Sequence, residues 1–125
     1  MNIVLWVVQV VMAALFFMGG TVKLTQPKAK LAAATNMAWA EDFSQGTVRL
    51  IGGLEVLGAV GLILPALTGI APWLTPLAGL GLVLTMLGAA LTHTRRGEYS
   101  MIGINMVLLA LAAFVAYGRW VLAPM

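Results

Sequence analysis

The chain has 125 residues, 62% of them hydrophobic and 9% charged, with a mean hydropathy of +1.01. A soluble domain averages about a quarter charged residues, so this chain has too little polar surface to cover a particle in water, and lipid is its solvent. Seven Lys and Arg against four Asp and Glu give a net charge of +3, and the absence of cysteine excludes disulfides, thiolate catalysis and iron–sulfur ligation.

In hydrocarbon every backbone polar group must be satisfied within the protein, which leaves helices or a closed barrel. The apolar runs are continuous rather than alternating. The expected fold class is therefore all-α, an integral membrane four-helix bundle forming one domain over residues 1–125, with the lipid bilayer as its first partner. Basic residues in a soluble protein would suggest nucleic acid. Here they flank apolar runs, where membrane orientation explains them, and no nucleic-acid partner is expected.

Residues Met1 to Val22 carry no charged side chain, and about 20 apolar residues span a bilayer. The first helix is expected at about 2–24. No Lys or Arg precedes Lys23, and the run is longer than the core of a secretory signal, so a spanning helix is favoured over a cleaved leader. Gln9 lies inside it, and Gly19-Gly20 near its end permit close approach of another helix. Lys23 follows, able to snorkel toward headgroups.

From Thr25 to Ser44 the composition shifts. Pro27 suits a first helical turn, and the alanine-rich stretch 29–40 favours helix. With Lys28 and Lys30 at its start and Trp39 and Phe43 fit for headgroup level, a short interfacial helix over about 27–40 is expected, as a tether or as a lid. Asp42 with Gln45 resembles a capping pair. A second helix should follow at about 46–64 and stop at Pro65.

No charge occurs from Val56 to Thr92, and Pro65, Gly69, Pro72 and Pro76 divide that run in two. The third helix is expected at about 73–94. It is followed by the polar turn His93-Thr94-Arg95-Arg96-Gly97-Glu98, with Gly97 as terminator. The fourth, at about 99–122, contains one amide, Asn105, and ends near Arg119 and Trp120. Gly58, Gly61, Gly79, Gly81 and Gly88 read as packing notches, and the last three equally as a face for a second copy in a homo-oligomer. Lys23, Lys28, Lys30, Arg49, Arg95 and Arg96 flank the helix 1–2 and 3–4 connections, against Arg119 on the other side. The positive-inside rule puts both connections in the cytoplasm and both termini outside, in the inner (plasma) membrane.

Candidates for chemistry are few. Glu55, in Gly52-Gly53-Leu54-Glu55-Val56-Leu57-Gly58, lies roughly 13 Å into its helix. A carboxylate there costs about 2.5–3.5 kcal/mol unless paired or hydrated. Lys23 is the better partner, because Arg49, six residues earlier, faces elsewhere on the helix. Asn105 lies roughly 9 Å into helix 4, and His93 near the end of helix 3. Each of these four comes from a different helix, which is how bundles build interior sites. Bland alternatives stand beside each: a Glu–Lys or Glu–His lock, a histidine steadying a helix end, an amide gluing helices. One His and no Cys is too thin for a metal site or haem, and no phosphate-binding or dinucleotide motif occurs.

The segments FFMGGTVKLTQP, RLIGGLEVLGAVGLILP and MLGAALTHTRRGE, taken in order, resemble the DoxX family, specifically its small DoxX-like branch, over nearly the whole chain. The resemblance implies a bacterial four-helix membrane protein associated with quinone-linked or oxidative-stress redox complexes, with Lys23, Glu55 and His93 at recurrent polar positions. It implies a redox-enzyme partner subunit and a quinone as ligand, with no intrinsic cofactor and no self-sufficient catalytic motif. Two readings follow: a module binding a lipophilic ligand beside Glu55, Lys23, His93 and Asn105, or a non-enzymatic scaffold or small carrier for a lipophilic solute.

Overall fold

The computed structural model describes residues 2–27, 29–30, 39–40 and 43–124. Four long helices follow one another: α1 Asn2–Thr25, α2 Gln45–Thr68, α3 Leu74–Arg96 and α4 Tyr99–Tyr117, the last continuing as a π-helical turn over Gly118–Leu122. Each span is long and apolar enough to cross a membrane. Their outer faces carry exposed Ile3, Leu57, Leu67, Leu84 and Val107, a surface suited to contact with a bilayer. The protein is a multi-pass membrane bundle.

The helices pack as two antiparallel hairpins, α1/α2 and α3/α4, around Met12, Phe16, Ala59, Leu62, Leu82, Met86, Ala112 and Val115. Small residues set the distances. A Cβ added at Gly20 would fall 2.6 Å from the Gly52 carbonyl oxygen, and one at Gly52 would fall 2.7 Å from that of Gly20, so α1 and α2 touch backbone to backbone. Gly58 and Gly61 receive Leu82 and Ala78 of α3, and Gly79 meets the α4 backbone at Ala112 and Ala116. Gly81 and Gly88 are different from the expected notches: nothing lies within 4 Å of a Cβ built there.

α2 does not stop at Pro65. It runs on to Thr68 and ends at Gly69, whose φ of 73° is the left-handed region a glycine occupies freely. Pro65 has no N–H for the Gly61 carbonyl, four residues earlier. The neighbouring helix replaces it, since Thr75 Oγ1 donates to Gly61 O at 3.1 Å. On the next residue, Gln9 Nε2 of α1 donates to Leu62 O at 2.6 Å.

The cap of α2 also differs from expectation. Ser44 caps it, its Oγ accepting from Thr47 N at 3.1 Å, while Asp42 lies outside the described residues. So does most of the expected interfacial helix over 27–40. Trp39 and Ala40 are described, and they lie against α2: Ala40 is buried with Val48, and Trp39 packs edge to face with Phe43.

Candidate functional site

The end of the bundle that carries the α1–α2 and α3–α4 connections holds the sequence's polar candidates. Lys23 sits on the last turn of α1 and Glu55 in the first half of α2. Contact between Gly20 and Gly52 brings the two helices close enough for Lys23 Nζ to donate to Glu55 Oε1 at 2.5 Å. Both side chains are withdrawn from solvent, at 12% and 5% exposed, so this is a charge-assisted bond in a low dielectric. Glu55 Oε2 lies over Gly19, where an added Cβ would come within 3.3 Å of it. The Trp39 ring stands 5.5 Å from Lys23 Nζ, a cation–π contact that the sequence reading did not foresee.

Asn105 faces the interior from α4, 6% exposed, and its Nδ2 has no hydrogen-bond partner among the described residues. The close approaches at Gly20, Gly58 and Gly79 set the antiparallel registers. Followed around the bundle, they put Asn105 about one helical turn from Glu55 along the axis and level with Lys23. The apolar core ends just before this layer, at Phe16, Ala59 and Met86.

His93 belongs to a separate group. It is buried, but its Nδ1 is paired with Glu98 Oε1 at 2.9 Å, and Arg96 Nε lies 3.3 Å from the same oxygen. The Gly97 turn produces this: at φ 72° it reverses the chain, and Glu98 N donates to His93 O at 2.9 Å. The Glu–His alternative is therefore realised with Glu98 rather than Glu55, a pairing signalled only by five-residue spacing across a glycine. Along the same registers His93 lies about two turns from Glu55, nearer the connections. The structure joins Lys23 with Glu55, sets Asn105 beside that layer, and places His93 outside it.

A second polar group, at the opposite end, went unnoticed in the sequence. Arg119 is 3% exposed. Its Nε donates to Gln9 Oε1 at 2.6 Å, and its Nη1 donates to Asn2 Oδ1 at 2.7 Å and Ala123 O at 3.1 Å. Trp6 lies 5.5 Å from the guanidinium carbon. Because Gln9 also holds Leu62 O, this group ties α1, α2 and the end of α4 together. On the outside of the α1–α2 seam a shallow groove of about 480 Å³, lined by Ala14, Phe17, Met18, Val60, Ile63 and Leu64, is almost wholly apolar. Among the described residues no three of His, Asp and Glu gather as a metal site would require.

The sequence profile of the DoxX-like family matches residues 7–115, most of the chain. No curated protein and no solved structure matches it.

Proposed function

The chain belongs to the DoxX-like family, and from that premise we propose that it is a membrane module that holds a lipophilic ligand by its polar end at Lys23, Glu55 and Asn105. It serves a quinone-linked or oxidative-stress redox complex as an accessory subunit. The observation that carries this reading is the bare, buried Nδ2 of Asn105 at about the depth of a buried ion pair. Burying an amide donor without a partner costs about 1–3 kcal/mol. A pair whose only work is to lock two helices needs no such group near it, whereas a ligand's polar end supplies the missing partner. The redox partner and quinone, the latter as quinone or as its hydroxyl-bearing quinol form, rest on the family resemblance. The orientation rests on charge: Lys23, Arg49, Arg95 and Arg96 stand at the connection end and Arg119 at the other, which sets the connections in the cytoplasm and both termini outside.

A second reading, a non-enzymatic scaffold or small carrier, is favoured by the closure of Lys23 on Glu55 at 2.5 Å within a backbone-to-backbone helix contact. The outward face at Gly81 and Gly88 would then serve a second copy. Native mass spectrometry of the protein released from its own membranes separates the readings. The ligand reading expects a small lipophilic adduct that is lost in Glu55→Gln while the fold survives. A bare chain whose Glu55→Gln variant does not fold makes the pair a structural lock.

A further inference from the structure

We propose that the interior site is built for a hydroxyl-bearing head group on an otherwise apolar molecule; this rests on reading Glu55 and Asn105 as a ligand site. The two oxygens of Glu55 differ. Oε1 accepts from Lys23, while Oε2, over Gly19, accepts no hydrogen bond among the described residues. The site therefore keeps one anionic acceptor open on α2. On α4 it keeps one neutral donor open, Asn105 Nδ2.

Head groups sort against that pair of open positions. A ketone or ether oxygen can accept from Asn105 but brings only lone pairs to Glu55 Oε2, which gains no donor from it. An ammonium can donate to Glu55 but sets its charge beside Lys23. A hydroxylic head gives and takes, and it meets both kinds of group without adding charge. Toward the middle of the bundle the surroundings turn apolar at Phe16, Ala59 and Met86, which suits a hydrocarbon body. Sites that hydrogen-bond a hydroxyl reject the analogue lacking it far more strongly than apolar pockets reject a shape change.

The probes are 1-hexadecanol, hexadecyl methyl ether and 2-heptadecanone, each added to the full chain in phosphatidylcholine nanodiscs at equal mole fraction in the bilayer. The reporter is Trp39, beside Lys23, isolated by Trp6→Phe, Trp73→Phe and Trp120→Phe. The alcohol is expected to give a saturable change in emission at about one-tenth the concentration the ether or ketone needs, the weight of one discriminating hydrogen bond. Asn105→Leu weakens all three probes alike, because each accepts from Nδ2, leaves the preference that Glu55 Oε2 sets, and raises the unfolding midpoint, since it removes a donor without a partner. Lowered stability in Asn105→Leu with unchanged half-saturation by every probe marks a structural amide and overturns the proposal. Equal half-saturation by all three probes overturns it too, though a lipophilic site remains. No saturable response to any probe overturns the head-group class; the broader ligand reading then stands only if the native adduct sensitive to Glu55→Gln is found. Should the single-tryptophan chain fail to fold, adduct masses on the unmodified chain read the same comparison.

Discussion

Thr75 Oγ1 of α3 donates at 3.1 Å to the carbonyl of Gly61, the carbonyl that Pro65 leaves without a helical donor. Thr75→Val keeps the shape and removes the donor. It should lower unfolding stability in mild detergent by about 1–3 kcal/mol, the cost of a buried acceptor left bare. In a Pro65→Ala background the backbone N–H gained at that position can take over, so the same substitution should cost little. A double-mutant cycle reads the coupling, and additive losses would show that Thr75 does not compensate for the proline.

The glycines divide into two kinds. Gly52→Ala places a Cβ against the Gly20 carbonyl oxygen and the Lys23 Cβ, both at 2.7 Å, and neither can move without parting the helices. It should lose about 1–3 kcal/mol, as overpacking does. Gly81→Ala and Gly88→Ala meet open space and should be neutral or gain about 0.5–1 kcal/mol of helix propensity. Thermal midpoints of the three variants check the contrast.

Removing one member of the Lys23–Glu55 pair leaves the other charge buried. Lys23→Met should cost about 3–5 kcal/mol, and Lys23→Met with Glu55→Leu distinctly less than either alone. The comparison is made by denaturant titration in one detergent. A double variant as unstable as the sum of the singles would mean the two side chains do not depend on each other.

At the other end, Arg119→Lys keeps the charge but cannot reproduce a fork that reaches Asn2, Gln9 and Ala123 together. A loss of about 1–2 kcal/mol is expected, together with faster amide exchange in the first turns of α1. Hydrogen exchange followed by mass spectrometry localises the effect. Unchanged protection over residues 2–9 would contradict the assignment.

The four spans were legible because twenty-residue apolar runs have one solution in lipid, and Gly97 ended α3 where expected. Lys23 could be matched to Glu55 because a single carboxylate at that depth demands a cation and α1 offers one near its end. Pro65 misled for a definite reason. A proline signals a stop through its missing N–H, but whether a neighbour repairs the loss is a tertiary fact. Arg119 misled in the same way: beside Trp120 it reads as an interfacial anchor, while the structure turns it inward onto Gln9. The pairing of His93 with Glu98 depended on the left-handed turn at Gly97, and the partnerless state of Asn105 depended on the register of all four helices. The first is a local signal, five residues across a glycine; the second is not.

The repaired break in α2 has a consequence for how the chain is made. Residues leave the ribosome in order, so when Pro65 enters the bilayer α1 is already present with Gln9, while Thr75 follows ten residues later. Until it arrives, the Gly61 carbonyl sits in hydrocarbon unanswered, a cost of several kcal/mol. α2 is thus a span whose insertion is completed by its successor. Integration is therefore expected to be cooperative across the turn 69–73, and a chain cut within that turn would hold its second helix less securely than hydropathy alone suggests.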